Sequence, residues 1–131
     1  MKFTIAVFSP PQAPSSRRAL RFCEAVLASE HEISRLFFYQ DGVHNASRAV
    51  IAPQDELAMS TEWAAFIRQN SLDAVVCIAA ALRRGTLDAN EAQRHGRLGA
   101  DTVEAPWVLS GLGQLHEACQ GTDRLVCFGG A

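Results

Sequence analysis

The sequence lacks most of the features that would commit it to nucleic acid, membrane or metal. Twelve Lys and Arg face fourteen Asp and Glu, a formal net charge of −2 over 131 residues. There is no basic excess to clamp a phosphate backbone or an anionic bilayer, so direct binding of nucleic acid or membrane is not expected. No apolar run approaches the roughly 20 residues of a membrane-spanning helix. The run from Phe3 to Phe8 is cut off by Pro10 and Pro11, and it is too short for a signal peptide and has no small-residue cleavage site. These absences point to a soluble, cytoplasmic protein. Cysteine is sparse and scattered: Cys23, Cys77, Cys119 and Cys127 form no CxxC pair, so neither a redox dithiol nor a zinc knuckle is signalled. In a reducing compartment they are free thiols. His31, His44, His95 and His116 show no HxxxH spacing, so no metal site is expected. Repeats, linkers and low-complexity tracts are also missing, and the length suits one domain over 1–131.

What is present is apolar side chain: 48% of the residues are apolar and 20% charged, enough for one buried core. Lys2 to Phe8 reads as a first strand. A helix follows, capped by Ser15 or Ser16, with Leu20, Cys23 and Leu27 on one face. Ile33 to Tyr39 is a second strand, closed by the turn formers Asp41 and Gly42. His44 to Pro53 has no period and reads as a loop. Asp55 then caps a helix with Met59, Trp63, Phe66 and Ile67 on its inner side. Ala74 to Ala80, rich in Val and Ile, is the central strand. Asp88 and Glu91 form the start of a short helix ending near Gly96. Trp107 to Leu109 is a further strand, Leu112, Leu115 and Cys119 mark the inner stripe of a last helix, and Arg124 to Phe128 is a final strand. Strands alternating with helices imply right-handed crossovers and a parallel sheet. The expected architecture is a single-domain, three-layer α/β fold, with a mainly parallel sheet of about five strands covered by helices on both faces.

Open parallel sheets gather their chemistry outside the carboxyl ends of the strands. Cys77 fits that rule, lying late in the third strand within VVCIAAALRRG. The segment after it has the composition of a helix start, whose unpaired N–H groups favour a thiolate, and Arg83 and Arg84 add positive charge nearby. An unperturbed cysteine, with pKa about 8.5, is only a few per cent thiolate at neutral pH. The alternative is a small core residue, the usual role of a free cysteine in an apolar strand. Packing also explains Cys23, Cys119 and Cys127, and capping explains Asp55, Glu56, Asp88 and Glu91. The loop SPPQAPSS sits where a flavin phosphate binds in flavodoxin-like proteins, but Pro10, Pro11 and Pro14 offer no backbone N–H to an anion. Gly111 to Gly113 lacks the third glycine of a dinucleotide fingerprint. No cofactor is expected.

At VVCIAAALRRG the sequence resembles the DsrE/TusD family of sulfurtransferase subunits. FFYQDGVHNA (37–46), LSGLGQLHEA (109–118) and DRLVCFGG (123–130) resemble further family signatures, so the likeness runs nearly end to end. The resemblance implies a DsrEFH-like fold and a sulfur relay in which Cys77, the one position the family's active cysteine maps onto, carries sulfur as a persulfide. Arg83, Arg84, Gly111 and Gly113 are candidate supporting residues beside it. It implies a TusA-like donor, a TusE/DsrC-like acceptor, and TusC-like and TusB-like partners in a heterohexamer. Thiol exchange of this kind needs access to the sulfur but no metal or flavin. The family's branches serve 2-thiolation of tRNA wobble uridine or dissimilatory sulfur oxidation, and the former is preferred. A non-catalytic assembly subunit and a small flavin or nucleotide binder are the alternatives.

Overall fold

The computed structural model describes residues 1–130. Five strands form one parallel sheet: β1 (Lys2–Val7), β2 (Glu32–Phe38), β3 (Ala74–Cys77), β6 (Trp107–Ser110) and β7 (Arg124–Phe128), in the order β6-β3-β2-β1-β7. Between them run α1 (Pro14–Ala28), a 3-10 segment (Gln40–Ala46), α2 (Met59–Gln69), α3 (Ile78–Arg83), α4 (Ala89–Arg94) and α5 (Gly113–Gln120). Two further short strands, β4 (Leu87–Asp88) and β5 (Asp101–Val103), form a separate parallel ladder. Strands of two and three residues carry no period, so this ladder left no readable signal.

The layers follow from alternation along the strands. Phe3 packs on Phe22 of α1 at 5.8 Å between ring centroids, and Phe38 packs on Trp63 of α2 at 5.2 Å and on Trp107 at 4.9 Å. Odd positions of β1 and even positions of β2 therefore face α1 and α2. Thr4 and Arg35 face the other way, toward α5: Thr4 Oγ1 lies 2.7 Å from Thr122 Oγ1, and Arg35 Nη1 donates to the Gln114 carbonyl at 2.8 Å. Trp63, Phe37 and Phe38 are fully buried, and burial of one such side chain contributes about 1.5–3 kcal/mol.

Several expected boundaries move. α1 starts at Pro14 behind Ala13, with no side-chain cap; neither Ser15 nor Ser16 caps it, because Pro14 presets the first-turn geometry and Ser16 turns inward. α2 starts at Met59 behind Ala58, so Asp55 and Glu56 lie in a turn ahead of the helix and cap nothing. β3 ends at Cys77, since the alanine-rich stretch after it prefers helix to strand. Leu112 precedes α5 and is 48% exposed, while Cys119 is half-buried; Leu115 and Ala118 make the inner contacts. Cys127, expected to pack, is exposed, because β7 is an edge strand that α5 does not cover. Asp88 does cap α4, accepting from Glu91 N at 2.8 Å.

Candidate functional site

The carboxyl ends of β1, β2 and β3 meet the 3-10 segment Gln40–Ala46, and a buried hydrogen-bond chain fixes that junction. Trp63 Nε1 donates to Ser16 Oγ at 3.2 Å, Ser16 Oγ donates to Asn45 Oδ1 at 2.7 Å, and Asn45 Nδ2 donates to the carbonyls of Ser9 and Gly42 at 2.9 Å each. Asn45 is fully buried with all of its side-chain polar atoms bonded, so the network can stabilise one geometry of the edge. Gly42 lies over the end of β1, where an added Cβ would stand 2.0 Å from the Val7 carbonyl oxygen. At the far side Gly129 (φ +83) sits against Ser9, and Phe8 N donates to the Phe128 carbonyl at 2.8 Å. The strand order reverses between β1 and β7, the usual place for a ligand in such sheets; here backbone packing closes the crevice.

Cys77 lies two strands away from that reversal. It is the last residue of β3 and the N-terminal flanking residue of α3, with extended backbone and no side-chain hydrogen bond to the helix. The unpaired N–H groups of the first turn of α3 follow it directly. Cys77 pairs in register with Ser110, and Val75 with Phe37, so the Cys77 side chain shares the sheet face crossed by α5. Contrary to the reachable sulfur that relay chemistry needs, Cys77 is only 2% exposed in this chain and belongs to the hydrophobic core. A groove of about 780 Å³ lies between the start of α1 and the turn before α2, lined by Pro11, Arg17, Arg18 and Leu57 among others, and Cys77 is not part of it.

The supporting residues divide. Arg84 does not project toward Cys77: its Nε donates to Asp41 Oδ1 at 2.8 Å and its Nη1 to the Ala80 carbonyl at 3.2 Å, tying α3 to the 3-10 segment. That hydrogen bond holds the Asp41 carboxyl below its ordinary value of 3.8. Arg83 is exposed in the last turn of α3, about 9 Å along the helix from Cys77 at 1.5 Å per residue. Gly111 follows β6 and Gly113 opens α5, on either side of exposed Leu112, and an added Cβ at either meets nothing within 4 Å. Packing does not demand glycine at either position.

The Asp41–Arg84 tie gives a direct expectation. Asp41→Asn should accelerate amide hydrogen exchange in α3 by about two- to fivefold at neutral pH, the range of an exposed ion pair. Because the folded-state pKa of Asp41 is depressed, its contribution is present above the ordinary value and lost as pH falls through the lowered one. The variant and the parent should therefore exchange alike in sufficiently acidic buffer. Equal rates at neutral pH would show that the pair holds nothing.

The sequence profile of DsrE/DsrF-like proteins matches residues 1–128, almost the whole chain. The chain belongs to the DsrE/DsrF-like family. Within it, the chain is 65% identical to the "Sulfurtransferase TusD homolog" of Pseudomonas aeruginosa, over 99% of this chain and 98% of that protein. It is 45% identical to the "Putative sulfurtransferase DsrE" of Allochromatium vinosum (98% and 99% covered) and 40% identical to the "Sulfurtransferase TusD" of an Enterobacter species (98% and 100%). The crystal structure of the ychN protein from E. coli superposes with a TM-score of 0.69 over 97% of both chains at 16% identity, which bears on the fold alone. The expected five-stranded parallel architecture is thus that of a DsrE/DsrF-like protein. Among the described residues, no helix is long and apolar enough to cross a membrane.

Sequence reasoning missed the Asn45 network and the Asp41 tie. Both lie in FFYQDGVHNA, a segment with no period. A polar Asn between Val43 and Ala46 gives no sign of being fully buried until the fold surrounds it.

Proposed function

We propose that the whole chain, 1–131, acts in the cytoplasm as one TusD-like sulfurtransferase subunit that carries sulfane sulfur on Cys77. The single observation that carries this reading is the position of Cys77 at the β3–α3 junction, in a chain 65% identical over its length to a protein named as a TusD homolog. In the proposed step the Cys77 thiolate attacks the outer sulfur of a TusA-like donor persulfide. The donor S–S bond breaks, its inner sulfur leaves as a thiolate, and Cys77 holds the persulfide. A TusE/DsrC-like acceptor thiolate then takes the outer sulfur and Cys77 returns to a thiolate, with no net oxidation.

Burial of Cys77 defines what a donor must do. The segment Ser110–Gly113 has two unconstrained glycines, and α5 starts behind Leu112 without a side-chain cap. In the proposed relay a docking partner opens the site at this segment. TusC-like and TusB-like subunits complete the assembly as a heterohexamer, with exposed Ile51, Leu57 and Leu98 offering apolar surface to them. We place the relay on the tRNA wobble-uridine side rather than in sulfur oxidation. The relative at 65% identity is named as a TusD homolog, and the net charge of −2 suits a subunit that leaves the tRNA to a later enzyme.

The burial also favours a second reading, an assembly subunit whose thiol is inert. Incubation with a cysteine desulfurase and a TusA-like donor separates the two. One sulfur atom should appear on the peptide containing Cys77 and none on Cys23, whose thiol burial pushes up to about 12. Equal labelling of the two, or none on Cys77 in the assembled complex, would leave only the assembly role.

A further inference from the structure

Cys119 and Cys127 stand outside this chemistry, and packing explains neither. Cys127 is exposed and Cys119 half-buried. In β7, Leu125 pairs with Thr4 and Cys127 with Ala6, so all four side chains share one face of the sheet. The contact of Thr4 with Thr122, just past the end of α5, makes that the α5 face. Arg35 holds the start of the helix over β2 through the Gln114 carbonyl. α5 therefore crosses from β2 toward β1 as it runs back along the strands, and it finishes over β1, the strand next to β7.

Both lie on the same side of the Thr4–Thr122 contact along the sheet. Cys127 is two residues beyond Leu125, about 7 Å up the strand from the Thr4–Thr122 contact. Cys119 is three residues before Thr122, about 4.5 Å back along a helix that runs the opposite way. On α5, Leu115 and Ala118 point inward, and Cys119 lies beside Leu115 on the flank. The Cys127 thiol is pushed above its ordinary range by partial desolvation and, to a smaller extent, by the charge of Cys119.

We propose that Cys119 and Cys127 are a redox-responsive thiol pair that closes a disulfide between α5 and the edge strand β7 on exposure to a peroxide. One thiolate attacks the O–O bond and becomes a sulfenic acid as hydroxide leaves. The second thiol attacks that sulfur, the S–S bond forms and the S–O bond breaks, releasing water. In total the two thiols lose two electrons and two protons, and the peroxide becomes two waters. The bond fastens the helix that covers the Cys77 side of the sheet. Its formation does not depend on Cys77 carrying sulfur.

The test treats the full chain, dilute and fully reduced, with hydrogen peroxide, traps remaining thiols with iodoacetamide, and maps peptides without reduction. Most molecules should show one intramolecular link between Cys119 and Cys127, reversed by dithiothreitol and absent from Cys119→Ser and Cys127→Ser. The same result is expected in a Cys77→Ser chain, which keeps this test separate from the relay reading. A link between chains, a link to Cys77, or overoxidation of Cys127 without a link would overturn the proposal.

Discussion

Cys77→Ser should lose sulfur transfer by at least about a thousandfold, because a hydroxyl is neither ionised near neutral pH nor able to hold a sulfane sulfur. The change is close to isosteric, yet it places a hydroxyl at a site only 2% exposed. Lack of a partner there costs about 1–3 kcal/mol. Cys77→Ala removes that polar burden and should be equally inactive while melting closer to the parent. Both variants should still assemble with partner subunits, since the side chain makes no hydrogen bond that the fold needs. Transfer assayed with a TusA-like donor and a TusE/DsrC-like acceptor decides the matter. Parent-like rates in either variant would remove Cys77 from the chemistry and return it to the core.

Gly42→Ala should destabilise the protein by at least about 3 kcal/mol, at or beyond the upper end of ordinary overpacking. The added Cβ would stand 2.0 Å from the Val7 carbonyl oxygen and 2.8 Å from its carbon. Those atoms are backbone, and the same carbonyl accepts from Tyr39 N at 3.0 Å, so neither partner can yield without breaking the β1–β2 edge. The melting temperature should fall by roughly 10 °C or more for a chain of this size. Gly121→Ala is the control: φ is −103° there and an added Cβ meets nothing within 4 Å, so the effect should stay within about 1 kcal/mol. Similar melting curves for the two variants would show that the contact at Gly42 relaxes.

The elements that were legible share one property, a regular apolar period. Met59, Trp63, Phe66 and Ile67 lie inside α2 as their spacing required, and β1, β2 and β7 fall nearly where their runs do. The boundary between β3 and α3 was not legible, because VVCIAAAL is apolar throughout and periodicity cannot separate a buried strand from a buried helix start. Cys77 was singled out by its place at a strand end and by the blocks around it, but its burial was not foreseeable. Exposure depends on what packs around the strand end, and the 3-10 segment that meets β3 lies more than thirty positions earlier in the chain. Arg84 illustrates the same limit: adjacency in sequence put it near Cys77, while the side chain reaches back to Asp41. Cys127 was misplaced because an edge strand and an interior one have the same composition when one face of the edge is left open.

Strand order also sets the pace of folding. Lys2 N donates to Asp123 Oδ2 across 121 positions at the foot of the β1–β7 ladder, whereas β1, β2 and β3 are joined by one crossover each. Loop-closure entropy makes so distant a pairing the slowest to form. Until it does, one flank of β1 has bare amides and carbonyls, the surface most prone to join another nascent chain. Temperature or mutation that delays this last ladder should therefore appear first as lost yield in refolding, before any change in the equilibrium melt.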